Sequence, residues 1–540
     1  MNPKARVITT IFHWIIPQFS TYCVIRGLFV RWTLSLLLCM SFNLVAPPPI
    51  PADDNIQQAV VKILVTRRLP DMLRPWITMN SPEISSTGVV IERNRILTTA
   101  NVVAYASQIY IQPYQSADKL PAQVLMAAPG INLAILTLED ESFFNTHPAL
   151  HFEKELPKVK DTVNVYGYAI GGSEQSITEG IVSRIEYAAI RVDVQGLRIQ
   201  IDAALNPGNN GGPAVVNNKI VGLAYGIRPD NPPSSQPGAR PGSRPMAVEN
   251  IGYLIPVEEI NMFLDDIADG AYEGKPRIQS IYYQTCENQA FRDWIGLKED
   301  VTGLLVRRIR VNEPDYPLKE GDLITHIGSY AIDSEGQIRV RDDLRLSAGY
   351  QVPHLVRAGK VPLTVFRKGQ TLELKVPVST KSKRLIRDGE DEYPRYFIYG
   401  PMVFTPVTMQ YAAMVFRSSQ RTSLEGSPLY TRQTDLVAFE GEELVALAPP
   451  LLSHGITKGY DPMRVTGVVS QVNGIAIKNI THLVETLRDA KDKYITIKFD
   501  NETHEMVVFR KQDLESSTPD ILDDNGIRYP CSEDLRDIWE

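Results

Sequence analysis

Cysteine is scarce in this chain, with four among 540 residues. Cys23 and Cys39 lie in an apolar N-terminal region, and Cys286 and Cys531 stand far apart in the rest of the chain. That spacing excludes a disulfide framework and the clustered thiols of a zinc site, so no metal and no cofactor is expected. A long basic block is also missing. With 56 Lys and Arg against 63 Asp and Glu, the formal net charge is -7. Nothing here would track a phosphate backbone, and nucleic acid is not an expected partner. Neither a collagen-like period nor a disordered composition is present: 43% hydrophobic and 22% charged residues are globular proportions.

What the chain does have is length. Single cores usually stop growing at roughly 250 to 300 residues, so three or so domains are expected. At the N-terminus, Lys4, Arg6, Arg26 and Arg31 precede the apolar run "WTLSLLLCMSFNLVA", Trp32 to Ala46, and then "PPPIPADD". A positive flank followed by an apolar run is an export signal. The run is 15 residues long, short of the about 20 that a membrane span needs, which favours a cleaved signal peptide. Leu44 and Pro47 make a poor cleavage pattern, which leaves an uncleaved anchor open. Residues 1–52 are therefore expected to be a signal peptide or membrane anchor with a Pro-rich spacer. The body is expected outside the cytoplasm, in the periplasm or cell envelope, meeting a membrane only through this segment.

From Ile56 to about Phe263, short β-branched runs alternate with turn residues: "AVVKILVTRR", "STGVVIERNRILTTA", "LAILTLE", "TVNVYGY", "LRIQIDAAL" and "KIVGLAYG" among them. Many strands at this spacing indicate an all-β barrel or sandwich. The next stretch, "VEEINMFLDDIADG", places Ile260, Phe263, Leu264 and Ile267 on one helical face.

Within the β region, "GNNGGP" (Gly208 to Pro213) resembles the Gly-Asn-Ser-Gly-Gly-Pro around the nucleophile of trypsin-like serine proteases, with Asn210 in the serine's place. "ILTTANVV" resembles the segment that carries the catalytic histidine in the HtrA/Deg family, with Asn101 in the histidine's place, and "GINLAILTLE" that family's aspartate segment, with Asn132 in the aspartate's place. Order and spacing agree, and "YGYAIGG", "EGIVSRIE", "QIDAALNPGN" and "ENIGYLIP" add supporting likeness. The resemblance is to the plant-type branch of HtrA/Deg, with two PDZ-like domains. It implies a mainly β protein: a chymotrypsin-like double β-barrel at 53–273, a PDZ domain at 274–380 and a second PDZ-like α+β domain at 381–540.

The departures bear on chemistry. Serine hydrolysis needs a hydroxyl nucleophile, an imidazole that takes and returns its proton, and a carboxylate that orients the imidazole. A carboxamide does none of these, so Asn101, Asn132 and Asn210 mark a degenerate triad without expected catalysis. The oxyanion-hole frame persists in Gly208, Asn209, Gly211 and Gly212, with the backbone amides of Gly208 and Asn210 as its donors. The alternative is that these glycines only serve a turn of unusual backbone angles. Thr98, Thr99 and Ser173 lie near motif elements but at no triad position, and His147 and His151 fall in an expected surface loop. The Pro, Gly and Ser rich stretch Gly226 to Asn250 reads as a lengthened, exposed loop.

In the C-terminal half, "GLLVRRI" reads as a strand, "PLKEGDLITHIG" as a turn and strand, followed by a helical region and the hairpin "VPLTVFRKGQTLELKVPV". PDZ domains capture extended peptides by strand addition. The loop that would receive a peptide carboxylate is Gln279, Ser280 and Ile281, without the usual glycine. Further on, Leu483, Val484 and Leu487 share a helical face, and the acidic cluster Glu440, Glu442 and Glu443 and the tail "DLESSTPDILDD" read as solvated surface. The resemblance thus implies a pseudoprotease that binds unfolded or extended polypeptides as chaperone, adaptor or scaffold, in a trimer-based homo-oligomer or together with an active relative. Two alternatives stay open: a peptidase with a non-standard arrangement, and a purely structural assembly protein.

Overall fold

The computed structural model describes residues 53–540, apart from 81–82, 171, 173, 192–193, 207, 227–250, 279–280, 312–314, 390–391, 418–425, 464–466 and 502–505. The N-terminal segment expected to direct export, and nearly all of the Pro-rich loop, therefore lie outside the described residues. Among the described residues, no helix is long and apolar enough to cross a membrane.

The β-branched runs form strands, as alternation of buried and exposed side chains requires, and the fold is mainly β. Val60–Pro70, Ile84–Ile91, Arg95–Thr98, Leu133–Leu138, Leu120–Ala128 and Ala106–Gln112 neighbour one another in that order in a sheet that closes by pairing of its first and last strands, Ile63 facing Ile111. A second barrel closes in the order Val194–Ile201, Gly252–Pro256, Lys219–Tyr225, Pro213–Val216, Thr162–Gly167, Ser176–Arg191. The helix Val257–Asp266 comes directly after strand Gly252–Pro256, with Ile260 and Phe263 buried and Leu264 packed against the first barrel's core. Burying a side chain the size of Phe263 contributes on the order of 2–3 kcal/mol.

Next comes an antiparallel sheet in the order Ile281–Gln284, Leu304–Ile309, Leu323–Ile327, Lys360–Arg367, Gln370–Pro377. The helical region expected between its strands is reduced to a 3-10 turn, Ala348–Gln351, and one α-turn, Val352–Leu355, preceded by the hairpin Gln337–Arg341/Leu344–Ser347. Its interior is continuous with the second barrel, since Val182 and Leu197 fall in one apolar cluster with Ile324 and Leu363. Tyr187 of the barrel meets Tyr350 edge-on at 6.0 Å.

The remaining residues build a further sheet, Phe397–Tyr399, Met402–Pro406, Val445–Leu447, Gly467–Val472, Tyr494–Phe499, Met506–Arg510. Helix Ile480–Asp489 buries Leu483, Val484 and Leu487 against it. Here the acidic stretches depart from the solvated reading. The tail forms helix Lys511–Asp524, which buries Leu514, Ser517 and Ile521. Glu442 and Glu443 are drawn into pairs with Arg432 and Arg395, at 3.0 and 2.9 Å. The sheet also docks on the first barrel: Trp76 and Leu73 pack against its apolar cluster, and Tyr105 meets Tyr393 edge-on at 5.5 Å.

Candidate functional site

Strands Arg95–Thr98 and Leu133–Leu138 are neighbours in the first barrel, with Thr98 opposite Ala134. Antiparallel pairing therefore holds the segment after the first strand beside the segment before the second. Asn101 lies in the single-turn helix Ala100–Val103. Asn132 caps the 3-10 turn Pro129–Ile131 in a left-handed conformation, φ 58° and ψ 41°, which asparagine tolerates better than most residues. Its Oδ1 accepts the Asn101 backbone N–H at 2.9 Å. The Asn101 Oδ1 is buried and, among the described residues, finds no donor.

Asn210 sits in the turn between strands Val194–Ile201 and Pro213–Val216 of the second barrel, where it bonds to the first barrel. Its carbonyl accepts the Thr87 N–H at 3.1 Å and the Ser86 hydroxyl at 2.8 Å. Its side-chain Oδ1 accepts the Gly226 N–H at 2.6 Å, just past the end of strand Lys219–Tyr225. The turn is braced through one buried hydroxyl: Thr87 Oγ1 donates to the Gly208 carbonyl at 2.7 Å and accepts the Tyr168 N–H at 2.9 Å. Thr98 Oγ1 in turn donates to the Thr87 carbonyl at 2.8 Å. Asn101 and Asn132 are thus joined directly, and Asn210 is tied through Ser86, Thr87 and Thr98 to the strand that precedes Asn101. Among the described residues, no hydrogen bond links the Asn210 side chain to Asn101 or Asn132.

Gly208 and Gly211 have φ of +101° and +82°, a region that favours glycine. A Cβ at Gly211 would collide with the Thr87 carbonyl and the Thr98 hydroxyl. Neither the Gly208 nor the Asn210 N–H has an acceptor among the described residues, as donors awaiting an oxyanion would require. Beside the turn, Tyr225 is pushed up to about 12, chiefly by burial, so it stays a neutral phenol at ordinary pH.

The other hydroxyls and imidazoles named in the sequence do not converge here. Thr98 and Thr99 are each 0% exposed, closed to any substrate, and Ser173 lies outside the described residues. His147 stacks on Phe143 with ring centroids 4.0 Å apart, and His151 pairs with Glu92 at 3.4 Å on the surface. Among the described residues, no group of three or more His, Cys, Asp or Glu could hold a metal ion. Of the carboxylate-loop residues, Gln279 and Ser280 lie outside the described residues, and Ile281 opens the edge strand Ile281–Gln284, facing Ile309. Sequence reading missed Ser86 and Thr87. Their signal was present as a run of three hydroxyl residues, Ser85 to Thr87, entering an otherwise apolar strand.

Across 490 residues the chain is 30% identical to Protease Do-like 2, chloroplastic, of Arabidopsis thaliana, covering 89% of this chain and 76% of that one. The chain belongs to the HtrA/Deg family of Do-like proteins. As an HtrA/Deg chain it is also 28% identical over 491 residues to Protease Do-like 4, mitochondrial, of the same plant, covering 90% of this chain and 87% of the relative. Residues 86–223 match the trypsin-like peptidase domain and residues 387–534 the PDZ domain. Among solved structures, the HtrA-type protease AlgW with tripeptide matches 61% of this chain and 96% of its own, at 20% identity and a TM-score of 0.45.

Proposed function

We propose that this HtrA/Deg chain is a catalytically silent pseudoprotease that holds unfolded or extended segments of other proteins without cutting them. The observation that carries this reading is the occupation of the Asn210 side chain, whose oxygen is spent on the Gly226 N–H. A nucleophile at that position needs a hydroxyl with a base beside it. Here the position holds an acceptor bound to backbone, and Asn101 supplies no basic nitrogen near neutral pH. In a well-studied protease, loss of the serine or histidine alone lowers turnover by about 10⁶-fold, and losing the whole triad costs about the same. Three substitutions together leave no step of acyl transfer in place.

Binding does not need the triad. The two turn amides still suit a peptide carbonyl, and edge strand Ile281–Gln284 offers backbone for strand addition. Such a protein acts as chaperone, adaptor or scaffold, in a trimer-based homo-oligomer or alongside an active relative. The N-terminal segment delivers it out of the cytosol, to a periplasm, a cell envelope or the equivalent organellar compartment; the two Arabidopsis relatives are named chloroplastic and mitochondrial.

Client holding is tested by adding the purified protein to a chemically denatured model protein and monitoring light scattering on dilution. Suppressed aggregation with the client intact on a gel is the expected result. Aggregation unchanged by the protein contradicts the holding function, and fragments on the gel contradict the silence.

A further inference from the structure

Strands Gln370–Pro377 and Met506–Arg510 each stand last in their sheet, and their outer edges differ. The edge of Met506–Arg510 is closed by a side chain: the Tyr460 hydroxyl donates to the Val508 carbonyl at 3.0 Å and accepts the Val508 N–H at 2.9 Å. Among the described residues, nothing bonds to the outer edge of Gln370–Pro377. An open edge is a template for another strand.

The turn before this strand decides which of its residues face outward. It runs through Lys368 and Gly369, with φ of 48° and 84°, and Arg367 faces Gln370 across it. In a two-residue hairpin turn of this kind the flanking pair exchanges both of its hydrogen bonds, and such pairs recur at every second residue. Gln370, Leu372, Leu374 and Val376 therefore spend their backbone groups on the inner neighbour, while Thr371, Glu373 and Lys375 turn theirs outward. Those three side chains are exposed, and Leu372 and Leu374 pack on the core. Within the sheet Glu373 faces Thr364 and Lys375 faces Pro362, so neither charge is met there. Among the described residues neither has an ion-pair partner.

Such an edge is complementary to itself, and we infer that strand Gln370–Pro377 docks a second copy of this chain, antiparallel and centred on Leu374. In that register Glu373 stands opposite the partner's Lys375, and Lys375 opposite the partner's Glu373, each pair exchanging its outward backbone bonds. The Thr371 N–H reaches the carbonyl of the partner's Pro377. On the core face Leu374 meets the partner's Leu374, and Leu372 lies across from the partner's Val376. Centring the pairing on Glu373 or on Lys375 instead sets like charges directly opposite, which is destabilising. The charge pattern thus selects one register. The contact is two-fold and closes on itself, so it joins copies in pairs. It is independent of any three-fold contact made by the barrels and of the client-holding reading.

The experiment is sedimentation equilibrium of the full-length protein over a concentration series at low salt, beside E373K, K375E and the double variant E373K/K375E. Each single variant sets like charges opposite at both pairs and is expected to weaken pairing by roughly tenfold or more. At a concentration where the unmodified protein is fully paired, the single variants should therefore shift toward half its mass. The double variant restores opposite charges in the same register and should regain the full mass. Both positions are exposed, so the thermal melts are expected to coincide. Equal masses for the unmodified protein and both single variants overturn the inference, and so does a double variant that stays with the single ones. Should a charge variant melt early, E373P provides the same test. It deletes an outward N–H and leaves the inner ladder whole, so it is expected to lower the mass, and an unchanged mass overturns the inference.

Discussion

The side-chain oxygen of Asn132 accepts the backbone N–H of Asn101 at 2.9 Å. A carboxylate oxygen in the same place would accept the same bond. The amide thus retains a scaffolding contact between the two strands and lacks only the charge that would steady an imidazolium. Asn132→Asp is accordingly expected to change stability by no more than about 0.5 kcal/mol. Asn132→Ala removes the acceptor from a half-buried donor and places alanine at positive φ, at a cost of about 1–3 kcal/mol. Urea denaturation of the two variants beside the unmodified protein measures both.

The Asn210 bond to Gly226 gives a second expectation. Asn210→Ser frees the Gly226 N–H and installs a hydroxyl, but Asn101 still offers it no base. The single variant should remain without measurable cleavage of an unfolded substrate. Activity from this variant alone would mean that another base reaches the hydroxyl.

Gly211 tests the turn itself. With φ at +82° and its Cβ direction blocked by the Thr87 carbonyl and Thr98 hydroxyl, Gly211→Ala should destabilise the protein by about 2–4 kcal/mol. A thermal melt within error of the unmodified protein would show that the turn is not held as described.

Alkaline pH provides a test through buried phenols. Burial pushes Tyr225 and Tyr399 up to about 12 and raises Tyr168, Tyr187, Tyr350 and Tyr411 as well. An unfolded chain ionises its tyrosines near 10. Between about 10 and 12 the unfolded state therefore binds fewer protons than the folded one, and stability falls as pH rises. The stability is whole below 10, and tyrosinate absorbance should appear late and together with loss of structure. Ionisation of all tyrosines near 10, with the fold intact, would contradict the burial.

The barrels, the order of the motif segments and the helix bearing Leu483, Val484 and Leu487 were legible in the sequence, because buried faces impose periods of two or 3.6 on apolar residues. The helix Lys511–Asp524 was hidden by its own composition. Ser517 occupies a buried position and acidic residues fill the outer face, so the stretch looks solvated until the sheet it packs on is known. The reach of Asn210 Oδ1 to Gly226, and of Thr87 to Gly208, joins segments far apart in the chain. No local pattern encodes such bonds. The lining of a cavity of about 520 Å³ is the extreme case, since Lys275 and Arg310 of one domain come together with Lys383 of the next only once the two have docked.

The most direct measurement is a gel assay of denatured casein with the unmodified protein beside the triple variant Asn101→His, Asn132→Asp, Asn210→Ser. Catalytic silence predicts an intact substrate with the unmodified protein and fragments with the triple variant, since the braced turn and its free amides supply the rest of the site. Fragments produced by the unmodified protein, with contaminating proteases excluded, would contradict it.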